Sequence, residues 1–496
     1  MANDFTPYAT GRALFGGVAK PSFISDSLEI ERLQSYLLYE QIYWNAPEIF
    51  KLSMRGTNNM PIYVPSGRTI VDTSNRYTAN NFSLNIKPKT GDQDTNDVIA
   101  ARMAMSDLFA RERFLPKFLG AKRYCQIQGD WIWHVTADPF KPVGQRLTLV
   151  TLDPSMYFPM RDPNNVEKII GVQLVQEVQE DGDQAIQRLM YLKIVTATSV
   201  TITVQEDIMK LDEWQDVEAT PIRVVKPPTA LPPEITTIPV YHTKNFEEPN
   251  NPFGSSELRG LETVMAALNQ TMSDEELALA LEGIGQYVTD APHPVNPTTK
   301  QLVPWQLGPG SINHIPQGHK FDRVDGVSSV APYGDHYDRL WNAAKWASAS
   351  PDIAVGTVDV QTAESGIALA LQMSPILAKA GEKDELITAT HDQMFFDIIT
   401  MWYPAYEETT FNEVTVECLV GEKLPIDRAA RFQELNDMLD RQVIDTQYYR
   451  TEAAKLGYVF PADIGARVVA EKKALTPADP LMDRVGSELG NDTAGA

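Results

Sequence analysis

The sequence predicts an α+β chain in which helices come first, antiparallel strands follow and long helices fill the second half. Three observations carry this reading. Apolar residues recur at helical intervals up to Phe114; from Tyr124 to Val204 the period becomes that of strands; and beyond a proline-rich run, Pro227 to Pro239, the apolar stripes lengthen and are split by a Pro/Gly block.

The first segment, residues 1–27, is rich in Gly and Ala and reads as an N-terminal arm. From Ser27 to Trp44, Ile30, Leu33, Leu37 and Trp44 predict a helix, capped by Ser25 to Ser27 and stopped by Pro47. Val98, Ala101, Met105 and Leu108 predict another from Asp97 to Phe114. Gln128, Gly129 and Asp130 then read as a turn between two strands, the second being Trp131 to Thr136. Leu147 to Leu152, Ile169 to Val178, Leu189 to Ala197 and Ser199 to Val204 continue the pattern, with a turn at Asp181 to Asp183. The run Pro227 to Pro239 reads as a connector.

Pro252 to Ser256 form a breaker and cap, and Leu258, Leu261, Met265, Leu268 and Met272 have 3-4-3-4 spacing. A helix from Ser256 to about Leu281 would span on the order of 40 Å. Its length suits packing between subunits, and its acids, Glu257, Glu262, Asp274, Glu275, Glu276 and Glu282, are expected to be exposed. The block Gly283 to Gly326 holds six prolines and predicts short strands and turns. From Ala291 to Val327 it is slightly positive, and it holds His293, His314 and His319. A helix from Pro332 to about Ala349 presents Tyr337, Leu340, Trp341 and Ala344 on one face. Pro351 ends it, Asp352 to Ala363 reads as an acidic loop, and a long helix follows from Glu364 to about Tyr403, kinked at Pro375 or Gly381. Beyond Pro404 come a strand, Val414 to Val420, a helical hairpin from Asp427 to Leu456, and a tail of disordered composition from Thr476.

Composition narrows the function. The 496 residues are 43% hydrophobic, enough for an ordinary core, and 43 Lys+Arg stand against 66 Asp+Glu for a net charge of −23. A protein that holds nucleic acid by neutralising phosphates needs the opposite balance. Cys125 and Cys418 are far apart and form no metal-binding spacing, which suits a reduced intracellular setting. The start lacks a signal-peptide pattern and no run reaches the 18 or so apolar residues of a spanning helix, so a soluble product made in cytoplasm, with no membrane partner, is expected.

Catalytic and cofactor chemistry is not expected. His336 and His391 have acidic neighbours, but no G-x-S-x-G elbow anchors a serine, and helix-surface histidines are the ordinary reading. Asp352 and Asp359 could pair as acid and base, yet they sit in a loop without an aromatic platform. His293, His314 and His319 lack metal spacing, and no phosphate-binding glycine loop is present.

Four segments resemble the portal proteins of tailed bacteriophages, those of long-tailed siphoviruses in particular. They are Gly129-Asp130 with Leu152-Asp153-Pro154 and Phe158-Pro159; Ile238-Pro239-Val240 leading to Asn251 to Leu258; Ser365 to Leu369; and Asp427 to Leu435 with Gln442 to Asp445. Their order matches the helix, module, helix, loop, long-helix series. The resemblance implies a wing (residues 28–250, with the long kinked helix 365–403), a two-helix stem (251–283 and 328–350), a small α/β clip (284–327), a tunnel loop (351–364), a helical crown (404–473) and a disordered tail (474–496).

It further implies a non-enzymatic ring of twelve copies at one capsid vertex of the virion. Such a ring nucleates procapsid assembly with the major capsid and scaffolding proteins. It passes double-stranded DNA without sequence-specific binding, and docks the terminase large subunit and then a head-completion or adaptor protein. Carried over, the tunnel loop is Asp352, Gly356, Thr357, Val358, Asp359, Val360 and Glu364, with Lys345 either facing the channel or meeting a neighbouring subunit. His293, Lys300, Trp305, His314, His319, Lys320 and Arg323 are the clip's docking candidates, and Leu258, Leu261, Met265, Leu268, Met272, Leu340 and Trp341 pack the stem. Another viral ring or hub, such as a head-tail connector or baseplate component, or a carboxylate hydrolase, would share parts of this pattern.

Overall fold

The computed structural model describes residues 27–453 except 54–60, 91–94, 217–218, 249–250, 285, 297, 306–314, 325–330, 357–365, 422, 424–427, 445–447 and 450–451. The arm, the tail and most of the tunnel loop therefore lie outside the described residues. The chain divides into two units, Met1–Lys423 and Leu424–Ala496.

In the larger unit, α1 (Ser27–Tyr43) matches the predicted helix. A helix not legible in the sequence follows, α2 (Ser66–Tyr77), and then β1 (Ser83–Pro88). The third helix, α3 (Asn96–Glu112), buries the four apolar residues that predicted it. Arg113, at φ 51°, breaks the helical path, and α4 (Phe114–Gln128) begins at once. The predicted strand before Gly129 is thus a correction. Phe114, Phe118 and Cys125 face the core from a helix, and Gly129 (φ 108°) is its left-handed cap, donating its N–H to the Cys125 carbonyl at 2.7 Å.

The strands then follow: β2 (Asp130–Ala137), β3 (Leu147–Leu152), β4 (Tyr157–Asp162), β5 (Asn165–Glu180), β6 (Asp183–Val195), β7 (Val200–Lys210), β8 (Arg223–Ala230) and β9 (Val240–Lys244). They form an antiparallel five-stranded sheet, β4-β5-β6-β7-β8, and a three-stranded one, β3-β2-β9. The expected connector is also corrected, because Pro227 and Pro228 lie inside β8. Proline is tolerated there because β8 is an edge strand, and its pairing with β7 shifts register between Val204 and Asp207. One face of the large sheet packs Val175, Ile186, Met209 and Trp214 against Leu33 and Tyr36 of α1. Val172, Leu174, Tyr191 and Ile202 form a second core with Ile132 of β2.

The remaining elements are α5 (Glu262–Ile284), β10 (Gln286–Thr289), β11 (Phe321–Val324), α6 (Ala331–Ala347), α7 (Asp352–Val355) and α8 (Gly366–Asp397). Without a break, α8 passes into a π-helical turn, Ile398–Trp402, and then α9 (Tyr403–Tyr406), with Pro375 inside α8. The strand expected in the crown, β12 (Val414–Leu419), pairs with β1, so it belongs to the larger unit and the division falls after Lys423 rather than at residue 404. In the smaller unit, α10 (Arg428–Asp440) is the first arm of the predicted hairpin, and Tyr449 Oη donates to Asn436 Oδ1 at 2.7 Å.

Candidate functional site: a helix pair, its root and the inserted module

Two of the segments that carry the portal resemblance meet in space. The segment before α5 crosses the turn between α4 and β2. Gly254 N–H donates to Asp130 Oδ1 at 2.7 Å, Glu257 N–H to the Gln126 carbonyl at 2.9 Å, and Ser256 Oγ to the Ile127 carbonyl at 2.6 Å. The crossing requires two glycines. A Cβ on Gly129 would stand 2.8 Å from the Gly254 carbonyl oxygen, and one on Gly254 would overlap the Gly129 carbonyl. Asp130 is buried under this contact and also accepts from Tyr36 Oη and from His242 Nε2, the latter at 2.6 Å. Burial, then the adjacent Asp130 charge, pushes the Tyr36 phenol well above its ordinary value.

One residue further on, Glu257 corrects an expectation. It is buried, and it lies between Lys379 and Lys383 of α8. Lys383 Nζ sits 2.5 Å from Glu257 Oε2 and donates to Ser74 Oγ at 2.9 Å, while Lys379 Nζ reaches the other carboxylate oxygen and the Ser348 carbonyl just past α6. Burial opposes the Glu257 charge, but Lys383 and Lys379 outweigh it and hold the carboxyl below its usual value. The long helix thus clamps the root of the helix pair, holding the start of the pair through Glu257 and its return through Ser348, both at the same end. A sequence signal could have pointed to it: α8 buries Met373, Ile376, Ala380, Lys383, Ile387, His391 and Met394 at 3- and 4-residue steps, so Lys383 occupies a place in the buried stripe.

The pair itself is α5 against α6. The helix begins at Glu262, because Leu258 to Leu261 make a turn with Gly260 at φ 84°. Leu258, Leu261, Met265 and Leu268 are fully buried, in one core with Ile42, Ile70 and Ala344, against which Tyr337, Leu340 and Trp341 pack half-buried. That part of the stripe is internal to the chain and does not serve contact between subunits. Met272 lies past that core and is half-buried. Of the acids expected on the surface, Glu262 accepts from Tyr39 Oη at 2.8 Å and Asp274 from Gln270 at 2.9 Å, whereas Glu276 is exposed.

At the far end of the helix pair, β10 and β11 form an antiparallel two-stranded sheet, with an isolated bridge between Val295 and Leu302. Trp305 is half-buried, its ring 5.3 Å from Phe321 and 6.3 Å from the exposed His293. Asp290 accepts the Lys320 N–H at 2.7 Å and lies 3.5 Å from His319 Nδ1. The Lys320 hydrogen bond, with His319 helping, holds the Asp290 carboxyl below its usual value. Counted with Asp290, residues 284–327 carry three cations and three acids, so the slight positive charge of the narrower window disappears. Lys300 and Lys320 are exposed, the Arg323 backbone pairs with Tyr287, and His314 is outside the described residues.

Beyond α6, Lys345 is corrected as a channel-facing charge: its side chain is 10% exposed and its ammonium is taken by Asp352. Asp352 opens the short α7 instead of lying in a loop, and Gly356, at φ 105°, closes it. Thr357, Val358, Asp359, Val360 and Glu364 lie outside the described residues.

The catalytic candidates do not converge. His336 is exposed on α6, but His391, expected on a helix surface, is wholly buried among Phe118, Trp131, Trp133 and Phe395. Trp133 Nε1–H donates to His391 Nε2 at 2.9 Å and His391 Nδ1 meets the Ile387 carbonyl at 2.6 Å, an arrangement that fits the neutral ring. Burial accordingly lowers its pKa to about 4, and does the same for His134 beside Tyr191. Among the described residues no group of three or more His, Cys, Asp or Glu is placed to hold a metal, and no helix is long and apolar enough to cross a membrane.

No protein-family model and no curated protein matches the sequence. Solved structures do match. A chain from the virion of a native gene transfer agent particle is 11% identical, with a TM-score of 0.46, covering 86% of this chain and 94% of that one. Chains from the neck of the empty particle, computed with C6 symmetry, and of the native particle, computed with C12 symmetry, are 12% and 10% identical. Their TM-scores are 0.43 and 0.44, and each match covers 80% of this chain and 91% of the other.

Proposed function

We propose that the chain is the subunit of a portal ring at one vertex of a phage-type capsid, through which double-stranded DNA enters on packaging and leaves on ejection. One observation carries this: α5 and α6 lie together as a helix pair, held at one end by the Gly129–Gly254 crossing and the Glu257 clamp, with the β10–β11 module inserted at the other. A stem rooted in a rigid wing and tipped by a small clip is the form such a subunit needs. The clip presents His293, Lys300, Trp305, His319, Lys320 and Arg323 to the terminase large subunit and later to a head-completion protein. The wing faces capsid and scaffolding proteins during assembly.

The net charge of −23 suits the same role. Twelve acidic copies make a negative wall, along which DNA slides without the multi-phosphate grip that would act as a brake. Residues 351–364 take the tunnel-loop role in this reading, with α7 at their start; Asp359 and Glu364 supply acid, while the Asp352 charge is largely offset by Lys345. The test is the particle mass of the purified chain by native mass spectrometry. Twelve chains of 55.3 kDa give about 660 kDa, and a chain that stays monomeric under every assembly condition contradicts the proposal.

A further inference from the structure

A closed ring needs a heterologous contact, in which one patch of a subunit meets a different patch of the next. Two features outside the stem root have complementary chemistry. The first is Trp346, near the end of α6 and 87% exposed. It is flanked on the exposed face of α6 by the small residues Ala343 and Ala347, with Arg339 two turns earlier on the same face. The second is a cavity of about 690 Å³ between α1, the segment before α5 and the first turn of α5. Its lining includes Arg32, Tyr36, Phe253, Arg259 and Thr263, with Glu29 and Glu31 among the acids there. The Arg32 guanidinium is buried and fixed by the Pro154 and Tyr157 carbonyls at 2.9 and 3.2 Å, and it stacks 4.2 Å over the Phe253 ring.

We infer that Trp346 of one copy seats in this cavity of a second copy, and that this contact closes the ring. An indole matches the lining, since the exposed Arg259 guanidinium offers it a stacking face and Leu38 and Phe253 an apolar wall. Both patches carry charges of either sign that can pair across the contact, exposed Arg339 and Asp335 beside the tryptophan and exposed Glu31 and Arg259 at the cavity. Level is consistent as well, because α5 and α6 run side by side, with the cavity at the start of one and Trp346 near the end of the other. Both copies therefore stay in one plane, as a ring requires.

The contact rests on the ring reading, and the experiment separates the two. Full-length Thr263→Cys and Ala347→Cys chains, both keeping Trp346, are prepared separately, mixed under assembly conditions and oxidised, while native mass spectrometry follows wild type, Trp346→Ala and Trp346→Phe. A disulfide-linked dimer in the mixture but in neither chain alone is expected. Ring formation should weaken at least tenfold in Trp346→Ala and be largely retained in Trp346→Phe, with melting of the monomer unchanged in both. Rings that form equally well in Trp346→Ala, without cross-linking in the mixture, overturn this contact and leave the ring standing. A wild-type chain that never assembles overturns both.

Discussion

Replacing Glu257 by Gln keeps the shape of the side chain and removes its charge. The Lys383 ammonium, whose side chain is 1% exposed, then remains buried with Ser74 Oγ as its neutral partner, and Lys379 loses its counter-charge. Breaking a buried pair from one side costs about 3–5 kcal/mol. With an unfolding entropy of roughly 2 cal/mol/K per residue over about 400 residues, that lowers the melting temperature by about 4–6 °C. The loss should be local before it is global, so amide hydrogen exchange should quicken first around residues 256–262 and 346–352, the two segments that α8 holds together at the root of the pair. Changing Lys383 to Met as well removes the stranded charge, so the double variant should lose less than the sum of the two single changes. The pH dependence has a fixed sign. Glu257 is held below its usual value, so its contribution is present above the unfolded pKa of about 4.3 and disappears as pH falls through the lower folded value. A Glu257→Gln chain melting within about 1 °C of wild type by calorimetry, with unchanged exchange at both ends, would refute the clamp.

Gly254→Ala should destabilise by at least about 2 kcal/mol, because the new methyl overlaps the Gly129 carbonyl and both neighbours are backbone; denaturant titration of the purified chain measures it. His134 and His391 are held neutral with folded pKa values of about 4, so the unfolded chain takes up protons first, and stability falls between about pH 6.5 and 4 by about 3 kcal/mol for each. Urea midpoints at pH 7 and pH 4.5 should show that slope, and His391→Gln should reduce it. If the proposed ring holds, Asp359→Lys repeated around it should slow DNA translocation and make retention of DNA sensitive to salt. A packaging rate indistinguishable from wild type would count against the acidic-wall argument.

The long, strongly periodic elements were legible. The stripes of α1, α3 and α6 and the strand-type composition of β2 and β3 each placed an element within a few residues of its observed bounds. What misled was chemistry that local pattern cannot resolve. Gly129 serves equally well as a hairpin turn or a helix cap, and only the packing of Phe114, Phe118 and Cys125 decides for the cap. Pro227 and Pro228 look like a connector unless an edge position is available to them. At the candidate site the order of helix, proline-rich module and helix was visible in the sequence, but the contacts at its root were not. Glu257 reads as a surface acid beside other acids, and its partners lie 122 and 126 residues away on another helix. Lys345 misled in the same manner, since the acid that neutralises it opens a helix too short to announce itself.

The central claim is that copies of this chain close into a ring around an open axis, with α5 and α6 as its stem. Electron microscopy of the assembled particle, viewed down its axis, tests that most directly. The account predicts a rotationally symmetric ring with a central hole wide enough for duplex DNA and the α5–α6 pairs arranged around it. A filled centre, an open filament or a particle with no rotational symmetry would contradict it.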